Sequence, residues 1–210
     1  MNYGEISLKK WRKATSAEAI IERGYDQAVG MTTDRMLKDV QKAIRKDFFT
    51  FLGTGTGTAT GAGLQVALAQ TWGKLQTLFE DDDIQPSTSS TPWTLPTTCY
   101  RHHHHPDSPS GMTLYRGLLG MGKVFMNSSV PKGTIYSTAQ DNLVLYYVPV
   151  NGADLNEAFS FTSDETGYIG IHEEPDYTNM TASDTVVNGM TLFAERLDGV
   201  VKTTITEPGP

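Results

Sequence analysis

The longest regular pattern in this 210-residue chain is helical, and it narrows the folds open to it. Apolar residues fall at Ile21, Tyr25, Val29, Met36, Leu37, Val40, Ile44 and Phe48. Spacings of three and four put most of them on one stripe of a helix. Thr15 and Glu18 have the spacing of a capping box ahead of it. If continuous from Ser16 to Leu52, the helix would be roughly 55 Å long. That is long for a compact domain of this size and predicts a strut that crosses the molecule. Gly24 and Gly30 weaken its middle, so a kink or break is expected near Gly30.

The residues after this helix read differently. Gly53–Gly63 alternates Gly with Thr and Ala. It lacks the Gly-Lys-Ser/Thr ending of a phosphate loop, and no strand leads into it as a dinucleotide turn would need. A flexible linker or hinge is expected there. Leu64, Leu68, Trp72, Leu75 and Phe79 then mark a second helix, closed by the acids Glu80–Asp83. From Lys123 onward the text is β. Strands are expected at Lys123–Met126, Thr134–Ser137, Leu143–Val150, Tyr168–His172, Val186–Ala194 and Val200–Ile205, with a short helix over Asp154–Phe161. Helices first and strands later indicate an α+β fold.

Charge and composition exclude several classes. No apolar run reaches the ~18 residues of a membrane span, and Met1–Lys13 has no signal-peptide core. The lone Cys99 cannot form a disulfide within the chain, so assembly inside a cell is expected. Residues 1–52 hold ten Lys/Arg against seven Asp/Glu. That is +3, and with a total of −7 it leaves −10 for the remainder. Such a basic helix on an acidic body is either a solvated face or a surface facing a polyanion.

Residues 85–116 stand apart. They hold five of the ten prolines, the only cysteine and the run His102–His105. Three readings are open: a loop, a short metal-binding His tract, or a disturbance of the reading frame. The last is the most economical. Read one base later, histidine codons give Ile and Thr; read in the other shift, Ser90–Cys99 can give Ile-Asn-Pro-Met-Asp-Ile-Ala-Asp-Tyr-Leu, a turn leading into an amphipathic helix, so more than one slip is required.

Clustered chemistry is sparse. His172, Glu173 and Glu174 end a strand, but a metal hydrolase needs more ligands at fixed spacing, and the other histidines lie in 102–105. Asp164 and Glu165 are neighbours that rarely face one cleft and read as turn residues. No Gly-x-Ser-x-Gly elbow or Cys/His pair is present, and no cofactor or metal site is expected. The pattern favours an interaction protein over an enzyme.

Several strings carry a more specific signal. They are Lys10-Trp11-Arg12-Lys13-Ala14-Thr15-Ser16-Ala17-Glu18, Val130-Pro131-Lys132-Gly133-Thr134-Ile135-Tyr136, Asn142–Tyr147, Phe161–Glu173 and Leu192–Val201. Together they resemble the major capsid proteins of tailed phages of Gram-positive bacteria, within the Hong Kong 97-type capsid fold. The resemblance implies a spine helix and hinge over 15–62, an axial domain over 63–154 and a peripheral domain completed by 155–210. Residues 1–14 would be the remnant of an N-terminal arm and extended loop. It implies a non-enzymatic, self-assembling head protein, arranged as pentamers and hexamers in an icosahedral shell. The shell would enclose genomic DNA, assemble in the host cytoplasm and involve scaffold and portal partners. An encapsulin-like compartment shell is the alternative of the same fold, and a metal-dependent hydrolase the alternative of another class. In a shell one long face looks inward, so Lys38, Lys42, Arg45 and Lys46 are candidates for contact with DNA or with a neighbouring subunit.

Overall fold

The computed structural model describes residues 6–80, 86–90, 113–116, 123–150, 153–164 and 166–207. In chain order the elements are β1 (Lys9–Ser16), α1 (Ala17–Arg23), α2 (Tyr25–Leu52), β2 (Gly57–Ala62), α3 (Gly63–Phe79), β3 (Pro86–Ser90) and β4 (Thr113–Arg116). Then follow β5 (Lys123–Met126), β6 (Thr134–Ala139), β7 (Leu143–Tyr147), α4 (Ala153–Phe159), β8 (Thr162–Ser163), β9 (Ile169–Asp176), β10 (Thr181–Asn188), β11 (Met190–Ala194) and β12 (Val201–Thr206). The chain divides into two compact units, one of Met1–Arg45 with Leu145–Phe193, the other of Lys46–Val144 with Ala194–Pro210. It passes from one to the other within α2, β7 and β11.

The first unit is built on a four-stranded sheet, β1-β10-β9-β8, in which each neighbour is antiparallel. Trp11, Val186 and Ile171 stand opposite one another across three strands, so their side chains form a row on one face. Met36 and Val40 of α2 pack onto this row and are fully buried, with Leu37 and Ile44 beside them. The i, i+4 spacing of Met36 and Val40 delivers both to the sheet, and each such burial stabilises by about 1.5–3 kcal/mol.

The strut helix is real but begins later than the sequence indicates. Residues Lys9–Ser16 form an edge strand. Thr15 is held in that strand opposite Ala182, and its hydroxyl bonds Thr32. Ser16 therefore caps α1 instead, accepting from the Ala19 N–H at 3.4 Å. The break falls at Gly24, whose φ of +84° and ψ of 152° no helix permits, and α2 runs unbroken through Gly30. Twenty-eight residues make α2 about 42 Å long.

The second unit carries a six-stranded sheet in the order β2-β12-β6-β3-β5-β4. Helix α3 covers it through Ala67, Leu68 and Leu75, which meet Val124, Ile135, Ala139 and Val201. The last turns of α2 supply Phe49 and Leu52 to a further cluster with Val130, Tyr136, Ala194 and Val200. Buried hydroxyls are paired across this unit: Thr71 with Thr203 at 2.6 Å, and Thr88 with Ser137 at 3.0 Å.

Several sequence expectations are corrected here. The Gly–Thr run is not a linker throughout, since Gly57–Ala62 is a strand parallel to β12. Its glycines are there for proximity: a Cβ on Gly61 would sit 2.3 Å from the Ala67 nitrogen, and one on Gly57 2.3 Å from the Asp198 carbonyl. The ends of the anomalous segment are strands, β3 pairing with β5 and β6, and β4 with β5. His102–His105 and Pro92–Cys99 lie outside the described residues, so the frame-shift reading does too. The expected strand Val186–Ala194 is two strands. Gly189 separates them, packed where a Cβ would come within 2.8 Å of Leu8 and 3.1 Å of Val148. The remaining strands, α3 and the short helix α4 lie where the sequence places them, within a few residues at their ends.

Candidate functional site

The four cations singled out by the sequence all lie on α2. Lys38 and Lys42 are exposed and one turn apart, away from the buried Met36 and Val40. Arg45 is half-buried, and Lys46 is exposed at the first position of the second unit. Among the described residues Lys38, Lys42 and Lys46 have no carboxylate partner. The nearby Asp39 is taken by Lys13 of β1, with Nζ 3.0 Å from Oδ2. Three unpaired ammonium groups at i, i+4 and i+8 can meet a polyanion without first breaking an ion pair.

The hydrolase candidates do not assemble among the described residues. His172 is half-buried on β9, with Nδ1 3.4 Å from the Ser160 carbonyl oxygen and Nε2 3.9 Å from Glu174. Its ring meets Phe161 edge-on. Glu174 accepts instead from Arg12 at 3.0 Å, and Glu173 is exposed. No group of three or more His, Cys, Asp or Glu gathers among the described residues. Asp164 is a turn residue: its carboxylate accepts from the Thr166 hydroxyl and the Ile169 N–H. Glu165 lies outside the described residues.

One buried carboxylate was not foreseen. Asp184 of β10 is almost wholly buried, and its Oδ2 accepts from the Thr33 hydroxyl of α2 at 2.7 Å. Lys13 stands opposite it on β1 but reaches out to Asp39. A polar residue inside a Thr-Ala-Ser-Asp-Thr strand gives no periodic signal, so only tertiary placement exposes its role.

The apolar surface also departs from expectation. Ile21 and Tyr25 belong to the helical stripe by spacing, yet they are 84% and 53% exposed. The break at Gly24 separates α1 from the stripe, which begins at Val29. Trp72, placed by spacing on the core face of α3, is exposed, and Thr71 takes the buried position. Tyr177 (81% exposed) and Met180 (63%) project from the β9–β10 turn, which no pattern in the sequence marks. That turn is closed by hydrogen bonds: the Asp176 carboxylate accepts from the N–H groups of Thr178 and Asn179 and from the Asn179 amide. The amide bond, with the Asn179 N–H, holds the Asp176 carboxyl below the usual carboxylate range. No helix among the described residues is long and apolar enough to cross a membrane.

No protein-family model matches the sequence, and no curated protein matches it. Solved structures do. The holo-SrpI encapsulin complex from Synechococcus elongatus matches at 12% identity with a TM-score of 0.64, over 98% of this chain and 75% of that one. A virus-like particle from Pyrococcus furiosus matches at 11% and 0.56, over 96% of this chain and 78% of that one. The capsid of cyanophage A-1(L) matches at 11% and 0.58, over 94% and 76%. The chain therefore has the Hong Kong 97-type capsid fold. The likeness spans phage capsids and encapsulins and does not single out phages of Gram-positive bacteria.

Proposed function

We propose that this chain is the repeating subunit of an icosahedral phage head, a major capsid protein that encloses genomic DNA. The observation that carries this reading is the shell-subunit fold over nearly the whole chain. Its work is then done by contacts between copies, in pentamers and hexamers, and not by a catalytic site. The unit of β1, α1, β9 and β10 is the peripheral domain, the unit of α3 and the six-stranded sheet is the axial domain, and α2 is the spine. The sequence division differs: it gives β2 and β12 to the peripheral part and residues 145–154 to the axial domain. The head forms in the host cytoplasm and ends in the virion, with scaffold and portal proteins as further partners.

An encapsulin-like shell is the second reading, because an encapsulin is among the matched structures. Contents separate the two. Purified particles seen by electron microscopy and treated with nuclease should protect DNA for a phage head. Particles free of DNA but carrying a second protein would favour the compartment. A protein that stays monomeric in both low and high salt would overturn both.

A further inference from the structure

We propose that Lys13 is a two-seat latch: its ammonium group holds Asp39 of α2 in one conformation and the buried Asp184 of β10 in the other, so that the edge strand β1 either grips helix α2 or releases it. The inference does not depend on the shell reading.

The second seat is a carboxylate that the fold leaves short of partners. Asp184 is 1% exposed, and among the described residues its Oδ1 has no hydrogen-bond partner. Its Oδ2 accepts from the Thr33 hydroxyl at 2.7 Å, but that hydroxyl also lies 3.1 Å from the Val29 carbonyl oxygen, so one proton serves two acceptors. Across the sheet Asp184 stands between Lys13 of β1 and Glu173 of β9. A second carboxylate directly opposite adds repulsion on that side. The rows to either side, Trp11–Val186–Ile171 and Thr15–Ala182–Pro175, bring no charge, so Lys13 is the only cation in the three rows.

Lys13 has the reach for both seats. Residues directly opposite in an antiparallel pair have Cβ atoms about 4.5–5.5 Å apart, which the four-carbon lysine stem spans. In this structure the ammonium sits on Asp39 instead, with Nζ 3.0 Å from Oδ2. That seat is weak, because the two side chains are 42% and 63% exposed and water and salt screen the pair. The Asp184 seat gives a stronger bond to a buried carboxylate, offset by taking the ammonium part of the way out of water. Opposed terms of this kind leave the two seats close in free energy. The edge position of β1 also lets the ammonium reach Asp184 with its stem along the sheet and its head near solvent.

The seats differ in what they tie together. On Asp39 the lysine joins β1 to α2, and on Asp184 it joins β1 to β10 within the sheet. The exchange therefore frees the middle of α2 from the edge strand, while Thr33 keeps its own bond to Asp184. Salt favours the second seat, since it screens the exposed pair more than the buried one.

The test is Lys13→Met in the full chain, made in two backgrounds and read by thermal unfolding at low salt. In Asp39→Asn the first seat is gone. If the latch exists, Lys13 moves to Asp184, and Lys13→Met lowers the melting temperature by at least about 2 °C. In Asp39→Asn with Asp184→Asn both seats are gone, and the same change should shift it by less than about 1 °C. No loss in the first background overturns the latch, because Lys13 then has nowhere else to go. An equal loss in both overturns it too, since the lysine is then acting through some other group. Should Asp184→Asn misfold, the structure of the Asp39→Asn variant decides: Nζ of Lys13 within hydrogen-bond distance of Asp184 supports the latch, and Nζ in solvent or on Glu173 removes it.

Discussion

The side chain of Asn142 and the backbone of Arg196 bond each other twice: the amide nitrogen donates to the Arg196 carbonyl at 2.9 Å, and the Arg196 N–H donates to Oδ1 at 2.8 Å. The pair imitates one rung of a β-ladder between the corner before β7 and the loop before β12. The same amide nitrogen also donates to the Thr138 hydroxyl, and the Glu195 N–H donates to the Asn142 carbonyl. Fifty-four residues of sequence separation are closed by this one buried side chain.

Asn142→Ala should therefore destabilise the second unit by about 1–3 kcal/mol, since it removes both part-buried bonds to the Arg196 backbone and the buried bond to Thr138. Urea unfolding of the variant measures this. The half-buried Asn127, whose Oδ1 accepts from the Ser129 N–H, is the comparison, and Asn127→Ala should cost less than about 1 kcal/mol. Equal costs would remove the ladder role of Asn142.

Arg196 also anchors the end of α3. Its guanidinium donates to the Leu78 carbonyl, stacks over Phe79 at 5.7 Å and pairs with Asp198 at 2.9 Å. The hydrogen bond from Arg196 holds the Asp198 carboxyl below its usual range and raises the arginine in turn. A carboxylate whose folded value is lowered contributes stability above its unfolded value, and loses it as pH falls through the folded one. The contribution of Asp198 should thus be complete above about pH 4 and vanish below its lowered folded value. Melting temperatures of wild type and Asp198→Asn should differ at pH 6 and converge at about pH 2. A constant gap would mean that the charge of Asp198 plays no part.

Glycines separate what the sequence makes legible from what it hides. Gly61 lies in β2 with the Ala67 backbone where its Cβ would be, while Gly73 lies in α3 with nothing within 4 Å. Gly61→Ala should force the first turn of α3 off the sheet and cost more than about 2 kcal/mol, whereas Gly73→Ala should stabilise by roughly 0.5–1 kcal/mol. Thermal unfolding of both checks the pair, and a Gly61→Ala protein as stable as wild type would overturn the packing argument.

In the sequence Gly61 reads only as part of a linker or hinge, and Gly73 lies inside the helix marked by Leu64–Phe79. The stripe Met36, Val40, Ile44 was legible because period and burial coincide on one continuous helix. β2 and β3 were not, because their buried positions are glycine, proline, serine and threonine, which give no apolar period. The exposure of Ile21 and Tyr25 was hidden as well. Spacing assigns Ile21 and Tyr25 to the core; the φ of Gly24 turns α1, and Ile21 with it, away from that stripe, while Tyr25 is exposed at the first residue of α2. The cations of α2 were legible as a charge pattern, while the pairing of Lys13 with Asp39 depends on a strand the sequence did not mark.

The last prediction concerns those cations. Lys38, Lys42 and Lys46 follow one another at single turns, and none is held by a carboxylate among the described residues. If they face packaged DNA, they contact phosphate and not base edges, so binding is independent of sequence and driven by release of counterions. Each phosphate neutralised adds about −0.9 to the slope of log K against log salt, so removing three lysines should reduce the slope per subunit by up to about 2.7. The variant Lys38→Gln, Lys42→Gln, Lys46→Gln keeps side-chain length and helix propensity, so the core stripe of α2 should be untouched. Particles of this variant should form at the wild-type yield, yet lose DNA at lower salt or lower temperature than wild-type particles. The same lysines could instead meet acidic side chains of a neighbouring copy, given −10 outside residues 1–52. In that case the variant subunit should remain folded and fail to assemble, with assembly restored by low salt in the wild type only. Folded subunits without particles would assign these lysines to the interface, and undiminished DNA retention in intact particles would remove them from the inner surface.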